Sequence, residues 1–185
     1  MDRRLDIQGL RGVAVIAVIL FHFDIPPFSG GFIGVDIFFV ISGYLMTGII
    51  LGRVEAGSFA YGDFFVRRIR RLFPALFATS VAVFVAGFLF FAAFDFERLS
   101  AVTILAPLGL SNFYFWAEAG YFDSDAIRKP LLHTWSLAVE IQFYVIWPFV
   151  IMLGARMGRL GLAVLIAGVA VISCLAGLWA MEVSP

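Results

Sequence analysis

Six apolar runs recur along this 185-residue chain, at 10–23, 32–51, 73–94, 101–116, 135–153 and 161–181. Most approach the roughly twenty residues that a bilayer-spanning helix needs. In lipid a spanning backbone must satisfy its own polar groups, and a run of this length does so as a helix. The sequence therefore specifies an all-α fold, a polytopic membrane helix bundle. With 62% hydrophobic residues, 14% charged residues and a mean hydropathy of +1.00, the composition excludes an ordinary soluble domain. No soluble domain or low-complexity linker interrupts the pattern. The single cysteine, Cys174, excludes an intrachain disulfide framework and a cysteine-clustered metal site. Residues 21–31 hold no small-x-small cleavage pattern, so the first run reads as a span, not a removable signal.

Basic residues orient these runs. Arg3, Arg4 and Arg11 precede or begin the first, and Arg53, Arg67, Arg68, Arg70 and Arg71 lie between the second and third. The positive-inside rule then puts the N-terminus and a 52–72 loop in the cytoplasm, with 24–31 as a tight outer hairpin. The fourth run, broken by Pro107, Gly109, Ser111 and Asn112, is barely long enough to cross. Charge counting is balanced between crossing and not crossing: Arg128 with Lys129 and Arg156 with Arg159 merely exchange sides. The non-crossing version keeps Arg156 and Arg159, in a short turn beside two spans, inside, and leaves the acidic loop 117–132 outside. About five spans plus one re-entrant or short sixth segment are expected.

Within the stretch 5–23 (LDIQGLRGVAVIAVILFHF), Arg11 and His22 stand roughly 16 Å apart along a helix and within roughly 20° of one face. Ionisable groups within a span are costly unless they meet a cavity or a partner, so the pair reads as a site. Taken singly, Arg11 is equally an inner-face anchor and His22 a satisfied core or interface histidine. In 30–45 (GGFIGVDIFFVISGYL), Asp36 enters a span near the depth expected for His22, where a contact is open, and Ser42, Gly43, Thr47 and Gly48 form a helix-packing surface. In 64–76 (FFVRRIRRLFPAL), four arginines precede a span expected to begin near Pro74, a cluster suited to topology, to lipid headgroups or to cofactor phosphates. In 130–148 (PLLHTWSLAVEIQFYVIWP), His133, Glu140 and Tyr144 fall within roughly 20° of one another on a helix, with Trp135 and Gln142 opposite. Glu140 lies about 10 Å into that span, which requires a partner, a proton or water, or else makes it a hydrogen-bonded tie between helices.

Arg11 and His22, the run GVDIFFVISGYL at 34–45, RRIRRLFPAL at 67–76 and HTWSLAVEIQFY at 133–144 together resemble the acyltransferase 3 family, integral membrane O-acyltransferases of surface polysaccharide and peptidoglycan. The resemblance covers residues 1–185 and corresponds to the N-terminal half of the family's domain, as though truncated. Ile141 departs from it, standing where relatives usually carry a second glutamate. The resemblance implies transfer of an acyl group, most often acetyl, from cytoplasmic acetyl-coenzyme A or another acyl-coenzyme A to a hydroxyl of a glycan acceptor at the outer face of a bacterial inner (plasma) membrane. It implies donor binding by Arg68 and Arg71, supported by Arg67, Arg70 and Arg11. The Arg11 to His22 distance is comparable with an extended pantetheine arm. His22 would act as general base or acyl carrier, with Glu140 and Asp36 as catalytic carboxylates. Membrane lipid is a further partner, and neither a metal nor nucleic acid is expected. A different class remains open on the same residues: a proton-coupled transporter or flippase of an anionic or lipid-linked substrate, lined by Arg11, His22, Asp36 and Glu140. So does a non-catalytic membrane scaffold.

Overall fold

The structure, a computed structural model, describes residues 4–118 and 129–183. Arg3, Arg128 and the centre of the 117–132 loop lie outside the described residues. Among the described residues the fold is all-α: α1 (Leu5–His22), a 3₁₀ helix (Phe28–Ile33), α2 (Gly34–Glu55), α3 (Tyr61–Phe90), α4 (Ala93–Leu105), α5 (Ser111–Glu118), α6 (Thr134–Arg156) and α7 (Gly158–Val183). Five segments, Leu5–His22, Phe28–Glu55, Tyr61–Phe90, Thr134–Arg156 and Gly158–Glu182, are long and apolar enough to cross a membrane. The protein is a multi-pass membrane protein. Its chain divides into two compact units, Met1–Glu55 and Ala56–Pro185.

The first unit is a helical hairpin. Its turn is followed at once by the 3₁₀ helix, which runs back along α1 because Gly31 and Gly34 present no side chain there. A Cβ on Gly31 would meet the Ala17 carbonyl and Phe21, and one on Gly34 would lie 2.5 Å from the Ala14 carbonyl. Ala14 is fully buried beneath this contact. Of the expected packing surface, Gly48 faces open space, and the Thr47 hydroxyl donates to the Gly43 carbonyl of its own helix at 2.7 Å. Close backbone approach occurs at Gly31 and Gly34.

In the second unit α3 begins at Tyr61, well before the start expected near Pro74. The arginines therefore lie on a helix, and the intervening loop shrinks to 56–60. Arginine is a good helix former, Asp63 favours the first turn, and Pro74 is tolerated within the helix. After α3, α4 folds back on it: Phe96 packs on Phe84 and Phe88 at 5.1 and 5.7 Å, and Leu99 fills the space over Gly87. A turn at 106–110, with Gly109 at φ +69°, reverses the chain into α5. That turn sits against α6: Gln142 Nε2 donates to the Gly109 carbonyl at 2.7 Å and to Asn112 Oδ1 at 2.9 Å, and the Ser111 hydroxyl donates to the Thr134 carbonyl at 3.0 Å. Midway along α4, Arg98 pairs with Glu118 at the end of α5, 3.1 Å apart. Helix α4 is about 20 Å long, short of the roughly 30 Å hydrocarbon layer, and it is not among the five segments long and apolar enough to cross. Leu99, Val102, Phe115 and Leu131 form the core beneath it. Helix α7 packs on α6 where Gly154 admits Leu162.

Candidate functional site

Each unit carries its own share of the expected residues. In the first, His22 ends α1, exposed, with its ring edge-on to Phe21 at 5.3 Å. Its Nδ1 lies 2.8 Å from the Val18 carbonyl, one helical turn back. A carbonyl only accepts, so Nδ1 carries the hydrogen and, in the neutral ring, Nε2 carries the lone pair. A base or nucleophile needs that arrangement. Arg11 is half-buried with its guanidinium 5.8 Å from the centre of the Phe38 ring.

The same contacts place Asp36. Gly34 lies against Ala14 and Phe38 against Arg11, so Asp36, exposed on α2, stands level with residues 11–14. It is about 14 Å along α1 from His22. The contact left open between His22 and Asp36 is not made, and Asp36 shares the level of Arg11. The physical reason is the 3₁₀ helix: it carries the chain about 2 Å per residue down α1 before α2 begins, so the hairpin is deeper than a tight turn would make it.

In the second unit the structure joins two motifs that are far apart in sequence. Helix α3 crosses α6 where Phe64, almost fully buried, meets Tyr144 edge-on at 6.4 Å. One turn further, the half-buried guanidinium of Arg68 lies 5.5 Å from the Phe64 ring centre and 5.9 Å from that of Tyr144. It interacts electrostatically with Tyr144 and Glu140, and its Nε is buried without a hydrogen-bond partner. The Tyr144 hydroxyl donates a short hydrogen bond to Glu140 Oε1. Arg68, Tyr144 and Glu140 thus form one polar cluster in an otherwise apolar crossing. Arg67, Arg70 and Arg71 are exposed on another face of α3. His133 caps α6 from outside this cluster. Ile141 packs on Gly109 at the hairpin tip, so the place of the missing second glutamate is filled by an apolar contact.

Sequence reasoning put Tyr144 on the face of Glu140 but gave it no role; the four-residue offset was the signal. It passed over Arg98, Tyr114 and Glu118, whose signal was opposite charges flanking a broken apolar run. Among the described residues no group of His, Cys, Asp and Glu is placed to hold a metal ion.

Residues 4–185 match the acyltransferase domain of the acyltransferase 3 family. The chain belongs to that family. It is 45% identical over 144 residues to the peptidoglycan O-acetyltransferase OatA of Listeria monocytogenes, covering 77% of this chain and 23% of that protein. It is 43% identical over 157 residues to the putative peptidoglycan O-acetyltransferase YrhL of Bacillus subtilis, covering 80% of this chain and 24% of that protein. An uncharacterized protein of Haemophilus influenzae is 44% identical over 124 residues, 67% of this chain and 51% of its own length. The chain spans about a quarter of the length of the first two relatives. No solved structure matches it.

Proposed function

We propose that the chain is the N-terminal part of a membrane O-acyltransferase domain that moves an acetyl group from cytoplasmic acyl-coenzyme A to a hydroxyl of an extracytoplasmic glycan. The observation that carries the reading is the family match over residues 4–185, and the relatives named as peptidoglycan O-acetyltransferases give the acceptor class. The location is the inner (plasma) membrane, with the N-terminus cytoplasmic, because arginines cluster at 3–11 and 67–71.

His22 Nε2 takes the proton of the acceptor hydroxyl as its oxygen attacks the thioester carbonyl. The C–S bond breaks, and the imidazolium returns the proton to the leaving thiolate, giving ester and free thiol. The bond from Nδ1 to Val18 fixes the tautomer and stabilises the imidazolium. Arg67, Arg70 and Arg71 offer exposed forks to the donor phosphates. Arg68, drawn toward Tyr144 and Glu140, links that cluster to the carboxylate.

The test is transfer of labelled acetyl from acetyl-coenzyme A to a peptidoglycan fragment in proteoliposomes, by the chain alone and joined to the region that follows the matched segment in the Listeria relative. His22→Ala should retain coenzyme A binding and reduce transfer by about 10²- to 10⁴-fold. Translocation of a lipid-linked saccharide that needs no acyl-coenzyme A, and that His22→Ala abolishes, would overturn this reading in favour of a transporter.

A further inference from the structure

The end of α1 beside His22 carries an acidic residue where local rules favour glycine. The Asp24 amide donates to the Phe21 carbonyl at 3.0 Å and the Ile25 amide to the Leu20 carbonyl at 3.1 Å, the paired bonds that close a helix through one left-handed residue. Asp24 is that residue, at φ +51°. Glycine or asparagine is usual there, and a carboxylate also stands against the negative end of the helix dipole. Two local preferences are thus overridden at one position, as expected where a side chain is kept for binding.

The adjoining cavity supplies a reason. A space of about 210 Å³ opens in the turn after α1, lined by Phe21, Asp24, Pro26, Pro27, Phe28 and Ser29. It lies wholly within the first unit. Its volume is below the roughly 300 Å³ at which pockets for drug-sized ligands begin, so it suits one small ring and not an extended chain. Asp24 is its one ionisable group, and among the described residues that exposed carboxylate has no hydrogen-bond partner. An anion is therefore disfavoured. The negative faces of phenyl rings attract the slightly positive C–H groups of a saturated ring, the proline rings add apolar surface, and Asp24 and Ser29 offer an acceptor and a donor to hydroxyls. An onium ion would use the carboxylate and the phenyl rings but gain nothing from Ser29 or the prolines. Phe21 ties the cavity to the proposed chemistry: its ring is edge-on to His22 at 5.3 Å, so one side chain borders both.

We propose that this cavity binds one neutral, hydroxyl-bearing sugar ring, with Asp24 accepting from its hydroxyls and Phe28 against its C–H face, and serves as an acceptor subsite beside His22. The acceptor role rests on the acyltransferase reading; sugar binding does not. The charge rule, which puts the arginine-bearing start of α1 in the cytoplasm, opens the cavity to the extracytoplasmic side.

The experiment titrates the chain in lipid nanodiscs with chitobiose, and with choline as the cationic probe, following ligand line broadening by NMR. Chitobiose should bind, and choline should bind more weakly. Asp24→Asn, which tolerates the left-handed backbone, and Phe28→Leu should each weaken chitobiose binding by about three- to tenfold. Phe28→Tyr keeps the phenyl face and should retain affinity. Undiminished affinity in Phe28→Leu would make that ring a membrane-interface anchor only, which overturns the proposal. So would chitobiose binding that ignores Asp24→Asn, tighter binding of choline, or no binding of chitobiose. In acetyl transfer to a peptidoglycan fragment, Asp24→Asn and Phe28→Leu should raise the acceptor KM and leave the donor KM unchanged. Transfer with an unmoved acceptor KM removes the subsite and leaves the acyltransferase reading intact. Chitobiose binding with the expected variant pattern, in a protein that transfers no acetyl, does the reverse.

Discussion

One methyl group at Gly34 would stand 2.5 Å from the Ala14 carbonyl, and one at Gly31 would meet the Ala17 carbonyl. Backbone cannot rotate away as a side chain can, so Gly31→Ala and Gly34→Ala must push the 3₁₀ helix off α1. Each should cost about 1–3 kcal/mol, whereas Gly30→Ala, with nothing within 4 Å of the added atom, should be nearly neutral. Thermal unfolding in detergent reads the difference. At Arg68 the surroundings predict a division of labour among the arginines. Arg71→Ala, on the exposed face, should raise the donor KM by about tenfold or more with kcat little changed. Arg68→Ala should instead depress kcat, because its guanidinium lies over Tyr144 beside Glu140. Equal donor KM effects at both positions would return Arg68 to the phosphate-binding set that the resemblance implies for it.

Among elements, the α4–α5 hairpin carries the clearest consequence. Its two helices are joined by Arg98 and Glu118 and its tip is held by Gln142 and Asn112. In a Cys174→Ser background, Glu97→Cys and Ala117→Cys should therefore react with an impermeant thiol reagent from the same side of the membrane. Reaction of the two from opposite sides would show that the segment crosses. Gln142→Leu removes both donations to the tip and leaves the Gly109 carbonyl and Asn112 without that partner. It should cost about 1–3 kcal/mol, read as a lower thermal midpoint in detergent. The hairpin was legible as a broken run from Pro107 and Gly109. Its depth was not, because the tie to Gln142 spans 33 residues of sequence.

At the scale of the whole molecule, the chain parts at Glu55 into two units, each with its own packing. The second holds its core of Leu99, Val102, Phe115 and Leu131, the hairpin ties and the Arg68, Tyr144 and Glu140 cluster within itself. Membrane helices associate through such packing and hydrogen bonds and need no aqueous hydrophobic drive. Residues 56–185 expressed alone should therefore insert, keep their helicity by circular dichroism, and give the same Glu97→Cys and Ala117→Cys labelling as the longer chain. Loss of that pattern would mean that the hairpin depends on residues 4–55.

Sequence alone determined the number of the long apolar helices, though not that α3 begins at Tyr61, because a bilayer imposes a length on any apolar run and an obligation on its backbone. It likewise singled out Arg11, His22, Asp36, Arg68 and Glu140, since charge in such a run is conspicuous wherever it falls. Motif order was enough to point to the family. Only the tertiary structure decided which of these groups meet. That Arg68 reaches Glu140 depends on the angle at which α3 crosses α6 around Phe64 and Tyr144. That Asp36 stands level with Arg11, not His22, depends on two glycines letting a 3₁₀ helix lie directly on α1. Crossing angle and helical offset are set by side-chain contacts between segments distant in sequence, and no local periodicity contains them.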